Sequence, residues 1–357
     1  MRQPLSALFG VLGTASVVLA WTGCESSFSA QPRQQPAAAR ELSPGTTFES
    51  SHAVIYVADS AQKLRGPRRV AEFAAEARGD VPPLRTIEGP QTRLEGPTFV
   101  ALDGKGTLYV VNYNFLRPKI VPVIAVFAPE ASGDAPPIRK IWLSSMQSSP
   151  PRPFIAVDPA GYIYVANEAR QAIDIYAPDA NGTPPPVRSI IGPRTRIKNL
   201  FAVGVDPSGN IIVTGYVNNT VNSARVLVFP PNAKGNVAPS RVIMGSNTQL
   251  YGPGECAVDA AGNLYVSDNQ NTSGRILVFA PGANGNVSPI RIITPENATF
   301  VNGIALHGNE IFASEMYFPK RSIDVYPSNA NGTTKPLRTI AGDETKLLTF
   351  LGSIAVH

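Results

Sequence analysis

A chain of 357 residues has room for two or three ordinary domains, unless one repeated unit fills it. Hydrophobic residues make up 43%, enough for a sizeable core, while 34 Pro and 30 Gly point to many turns and away from an all-helical protein. The net charge of +5 is mild and no Lys/Arg tract is present, so a nucleic-acid partner is not expected.

The chain opens with Arg2 and an apolar run from Leu5 to Ala20, ending in Trp21-Thr22-Gly23-Cys24. A charge, a short apolar core and small residues make residues 1–23 an export signal, too short for a comfortable membrane span. The ending resembles the signal of bacterial lipoproteins. That resemblance implies cleavage before Cys24, acylation of Cys24 and anchoring to a membrane of the bacterial cell envelope. Without acylation the same signal leaves the protein secreted; either way it is extracytoplasmic. Residues 24–50 carry Ser, Pro, Gln and Ala with little to bury, and read as a flexible tether behind the lipidated cysteine.

From residue 51 to 357 one phrase recurs: an apolar strand ending in Asp, a Gly turn, and a second strand. It is plain in FVALDGKGTLYVVN (99–112), FIAVDPAGYIYVAN (154–167) and ECAVDAAGNLYVSD (255–268). A third strand ends in Phe73, Phe127, Tyr176, Phe229, Phe279 or Tyr326, at spacings of 47 to 54 residues. A Pro-led fourth strand carries Arg85, Arg139, Arg188, Arg241, Arg291 or Arg338, and this series has the same spacings. Four short strands joined by tight turns and repeated about every 50 residues make a propeller blade. The fold class is therefore all-β: a six-bladed β-propeller of four-stranded antiparallel blades. AVIYVAD (53–59) matches a second strand, so the first unit lacks its innermost one, and GSIAVH (352–357) supplies it. The C-terminal strand thus closes the ring in blade 1 without a free sheet edge.

This phrase, across 53–357, resembles the NHL-repeat propellers and more loosely the gluconolactonase-like propellers. The resemblance implies architecture firmly and activity weakly, because the fold hosts unrelated functions. Lactonase-type relatives hold a divalent metal at the channel mouth, near the starts of the inner strands, where it polarises the lactone and activates water. The matching positions here are Thr98, Pro153, Phe201, Gly254, Asn302 and Gly352, of which only Asn302 is of ligand type; Glu255 adjoins its own. Two oxygen ligands are too few for a metal, so no metal or cofactor is expected. The candidate mouth residues are Thr98, Arg152, Glu255, Asn302 and Ser353.

The three histidines are His52, His307 and His357, and the latter two replace the turn Asp of their blades, away from the mouth. So few histidines leave no hydrolytic triad, no G-x-S-x-G elbow is present, and Cys256 sits in an apolar strand. No catalytic residue is assigned. Loops between second and third strands vary and bear aromatics beside cations, which suits recognition of a protein, glycan or small molecule. Tyr113, Phe115, Arg117, Tyr317, Phe318 and Arg321 form the candidate binding face. Asp59, Asn112, Asn167, Asp268 and Glu315 end second strands, where each is expected to tie down the loop that follows or a neighbouring blade; the alternative is a polar ring around the channel mouth. The repeated Arg is expected to make a structural contact. The function expected is non-enzymatic binding or scaffolding; the alternative is a lactonase-type hydrolase with a metal at the mouth.

Overall fold

The computed structural model describes residues 53–60, 68–113, 121–146, 153–218, 223–270, 273–296, 300–317, 320–347 and 350–357. The export signal, Cys24 and the tether lie outside the described residues. The chain from 53 on is all-β: six sheets of four antiparallel strands, one with a short extra strand. Blades 2 to 6 follow chain order, over 97–142, 154–191, 200–244, 253–295 and 300–340. Blade 1 joins 54–87 to the final strand, Phe350–Val356, which pairs antiparallel with Val54–Ser60. Val54 and His357 exchange two backbone hydrogen bonds of 3.0 Å, so closure follows the expected register. The inner strands of adjacent blades touch in sequence, and that of blade 6 meets that of blade 1.

The apolar core is divided into six clusters, one at each blade junction, because both faces of a blade are covered by its neighbours. Second and third strands accordingly read as near-continuous apolar runs, such as Val123–Phe127, buried throughout. Polar groups lock these junctions. Arg139 donates to the carbonyls of Pro178 (2.6 Å) and Ala180 (2.9 Å) in the next blade, and Arg188 to that of Pro231 (2.6 Å). Arg338 reaches the Ala75 carbonyl (2.6 Å) across the closing junction. The repeated Arg is thus a structural contact, blade to blade at Arg139, Arg188, Arg241, Arg291 and Arg338, and within blade 1 at Arg85, which pairs with Glu72 at 2.8 Å.

Each outer strand also meets the following blade's turn in a short parallel bridge, as in Ile87 with Gly133, Ile190 with Gly235 and Ile340 with Gly79. At the fifth junction this bridge lengthens into the extra strand Gly332–Thr334. Asp134 extends the lock by accepting from the Gln91 amide at 2.6 Å, and Asp80 does the same for Glu344. The Arg78-Gly79-Asp80 tripeptide is therefore part of the ring's closure. Gly89 shows why the lock needs glycine: φ is +139°, and a Cβ would lie 2.4 Å from the Asp134 carboxylate.

Candidate functional site

The inner strands surround a central cavity of about 320 Å³, lined by Val100–Leu102, Phe154–Val157, Ala202–Val205, Glu255–Val258, 304–306 and Ser353–Val356. Alignment of the repeat phrases sets Phe99, Phe154, Ala202, Glu255, Gly303 and Ser353 at one level. All five inner strands with a shifted register show it at or next to this level: at Pro97/Phe99, Leu200/Ala202, Pro253/Cys256, Val301/Gly303 and, in the closing strand, between Leu351 and Ile354. The bulge frees backbone groups from the ladder, and hydroxyls on the blade's own second strand satisfy them and bridge to the next blade. Ser314 Oγ accepts from the Gly303 amide (2.9 Å) and donates to the Gly352 carbonyl (2.8 Å). Thr214 Oγ1 accepts from the Ala202 amide (3.0 Å) and donates to the Gly254 carbonyl (2.8 Å).

The ring is chemically lopsided at this level. Blades 2 and 3 contribute Phe99 and Phe154, and blade 4 sets Phe201 one position before its Ala202; the ring centroids are 4.1 Å apart in the first pair and 5.0 Å from Phe154 to Phe201, tilted by 44° and 40°. Blades 5, 6 and 1 contribute Glu255, Gly303 and Ser353. Glu255 Oε2 reaches across to accept from the Ile304 amide of blade 6 at 3.2 Å. Burial pushes its carboxyl up to about 8, against the downward pull of the Ile304 amide and the Ser353 hydroxyl. Cys256 is pushed up to about 12 by burial and by the Glu255 charge, so its thiol is a small apolar wall group and not a nucleophile.

The remaining expected mouth residues have structural partners. Thr98 is buried, and Gly352 packs so closely on its carbonyl that a Cβ would lie 1.8 Å from that oxygen. Ser353 Oγ accepts from the Val100 amide at 2.7 Å. Asn302 Nδ2 donates to the Leu351 carbonyl at 3.1 Å. Arg152 lies outside the described residues.

On the variable face, Tyr113 is 6% exposed and its amide donates to the Gly96 carbonyl at 2.8 Å, so it packs inward where an accessible aromatic was expected. Its strand-end position beside the inner-strand start explains this. Arg321 is half-buried near Asp59; burial pushes its guanidinium down and the Asp59 carboxylate pushes it back up. Tyr317 ends the second strand of blade 6, paired with Lys320 through the backbone. Phe115, Arg117, Phe318 and the side chain of Tyr317 lie outside the described residues.

The polar strand ends tie loops. Asn112 Oδ1 accepts from the Glu95 (2.8 Å) and Gly96 (2.9 Å) amides, and Asp268 Oδ1 accepts from those of Tyr251 and Gly252, both at 2.8 Å. Asn167 accepts from the Arg170 amide at 3.2 Å, and Asp59 is buried against Arg69 at 3.0 Å. Glu315 stands apart: it is 1% exposed and accepts from Tyr326 Oη at 2.7 Å. Burial first, then the Asp324 charge, raise its carboxyl well above the usual range, and as the acid it donates to Asp324.

Sequence reading missed the aromatic arc, although the signal was there: three successive units place Phe at or beside the start of the inner strand.

No family model matches the chain, and no curated protein matches it. Solved structures share its fold. A protein of unknown function from Bacteroides caccae aligns at TM-score 0.55 with 12% identity, covering 86% of this chain and 99% of that one. A putative 6-phosphogluconolactonase from Bacteroides fragilis aligns at 0.53 with 13% identity, covering 83% of each. The periplasmic gluconolactonase of Pseudomonas aeruginosa aligns at 0.52 with 13% identity, covering 84% of this chain and 98% of that one. The chain is a six-bladed propeller with gluconolactonase-like structural neighbours.

Proposed function

We propose that this propeller is a non-enzymatic binding module of NHL-like type, exported and held at a bacterial envelope membrane through acylated Cys24. The central channel is its binding site, with the variable loops as the rim. One observation carries the binding reading: a cavity of about 320 Å³ in which aliphatic side chains and Phe154 alternate with exposed inner-strand backbone groups, and Glu255 and Ser353 are the polar side chains among the described lining residues. A concave apolar site with a few convergent polar groups is the usual form of a small-molecule pocket. Export and anchoring are supported by the pattern of residues 1–24.

The lactonase alternative draws on two neighbours with lactonase names, but the donor set does not fit it. Among the described residues, no three His, Cys, Asp or Glu side chains come together as a metal site would need. Asn302 donates Nδ2 to the Leu351 carbonyl, which leaves one amide oxygen, too few donors with Glu255 for a divalent cation.

The test is a thermal-shift survey of the full chain with small polar, amphiphilic and saccharide compounds, beside a lactone-hydrolysis assay with calcium, zinc and manganese. A ligand at a hundredfold over its Kd stabilises the fold by about 2.7 kcal/mol, a readable rise in Tm. A saturable rise that is unchanged by chelators is expected, without metal-dependent turnover. Metal-dependent lactone hydrolysis that Asn302→Ala abolishes would replace the binding reading with an enzymatic one.

A further inference from the structure

We propose that the channel takes a small organic cation with an apolar body, its charge set against Glu255 and its body against Phe154. This rests on the reading of the channel as a binding site and adds the chemical class of ligand. In a ring of six blades, blade 3 stands across from blade 6. Phe154, on blade 3, lines the cavity, and its ring is held by Phe99 at 4.1 Å and Phe201 at 5.0 Å. On the far side the Glu255 carboxylate lies over blade 6, because Gly303 leaves it the space. A Cβ on Gly303 would sit 3.0 Å from Glu255 Oε2 and 2.9 Å from both the Ile354 nitrogen and Ser353 Cα. Phe154 and Glu255 thus line one level of the channel from blades on opposite sides of the ring.

Among the described residues, no Lys, Arg or His forms an ion pair with Glu255, whereas Asp59, Glu72, Asp174, Asp268 and Glu310 each have an Arg. A carboxyl drawn partly out of water without a counter-cation is costly as an anion and is relieved by a cation that enters with it. The face of an aromatic ring attracts the same charge and repels an anion. Among the described residues, Glu255 and Cys256 are the titratable side chains lining the cavity, and the Cys256 thiol stays neutral below about 12, so binding should follow the ionisation of Glu255. With the empty site's carboxyl pushed up to about 8 by burial, about a tenth is ionised at pH 7 and about nine-tenths at pH 9. Affinity for a permanent cation therefore rises with pH, by roughly tenfold over that range.

The test is calorimetry of the full chain with benzyltrimethylammonium, whose charge does not titrate, beside benzyl alcohol and benzoate. The cation should bind at least tenfold more tightly than either isostere, and about tenfold more tightly at pH 9 than at pH 7. Glu255→Gln should remove both the preference and the pH slope, with far-ultraviolet circular dichroism unchanged. Phe154→Leu, which keeps apolar volume but loses the ring, should weaken the cation severalfold and leave the slope. Benzyl alcohol binding as tightly as the cation, with Glu255→Gln indifferent, would overturn the cation class and leave the channel as a binding site. Binding of none of the three would overturn the cation proposal, while the broader thermal-shift survey judges the binding reading independently.

Discussion

Glu315 shows how far a single side chain can be moved by its surroundings. Its position in the repeat is that of Asn112 and Asp268, which hold loops by accepting backbone amides. In blade 6 the carboxyl instead turns into the sheet, where Tyr326 donates to it and Asp324 requires it to be an acid. Asp324 in turn accepts from Ser322 at 2.9 Å and from Thr339. Because the folded-state pKa is raised, the stability that Glu315 contributes is complete below about pH 4, its unfolded range, and is lost as pH rises through the folded value. Gln at this position can accept from Tyr326 and donate to Asp324 without a proton to lose. Urea melts of Glu315→Gln between pH 5 and pH 9 should therefore show a flatter alkaline limb than wild type. Glu255, also raised by burial, contributes to the slope that remains. Identical slopes for the variant and wild type would remove Glu315 from the account.

At the scale of elements, the informative strand is Phe350–Val356. It is the innermost strand of blade 1, and it carries Leu351 and Ile354 into the cluster between blades 6 and 1. Its Ser353 and Gly352 seat blade 2, through the Val100 amide and the Thr98 carbonyl. Deleting 350–357 would expose the edge of Val54–Ser60, open two junctions and remove one wall of the cavity. The truncated chain should lose cooperative unfolding and melt at least 10 °C lower, or accumulate as aggregate, since an open sheet edge pairs with other chains. A truncated chain with the wild-type melting curve would show that the ring does not depend on this strand. The 3–4 turns are the second element-scale device. Their Gly at positive φ lets the turn bond to the preceding blade's outer strand, as Gly133 does to the Thr86 carbonyl at 2.7 Å.

At the scale of the whole molecule, six junctions built alike distribute the core evenly, and the site is what the ring encloses. Neighbours of the same architecture include a protein of unknown function and a gluconolactonase, and at 12% and 13% identity they share the fold alone, since activity resides in a few positions of such a scaffold. Placement in the cell is a separate matter that rests on the first 24 residues. Cys24→Ala should abolish incorporation of a labelled fatty acid and shift the protein from membrane to soluble or unprocessed fractions in a bacterial host. Several acyl chains, at about 0.8 kcal/mol per buried CH₂, would hold the wild type firmly. Absence of label on wild-type protein would leave secretion as the reading of the signal.

The repeat itself determined the all-β class, the number of blades, the closing strand and the role of the repeated Arg. Each of these is written several times over, so six weak local patterns reinforce one another: Asp and Gly at the 1–2 turn, an aromatic ending the third strand, Arg opening the fourth. The channel is not repeated. Its character depends on one residue from each unit, brought together from positions as far apart as Phe99 and Ser353. No local pattern says that Phe154 will stand across from Gly303, that Gly303 makes room for Glu255, or that Tyr113 will pack inward. Only the tertiary structure decided those points, because burial, electrostatic shift and reach are set by neighbours that lie far away along the chain.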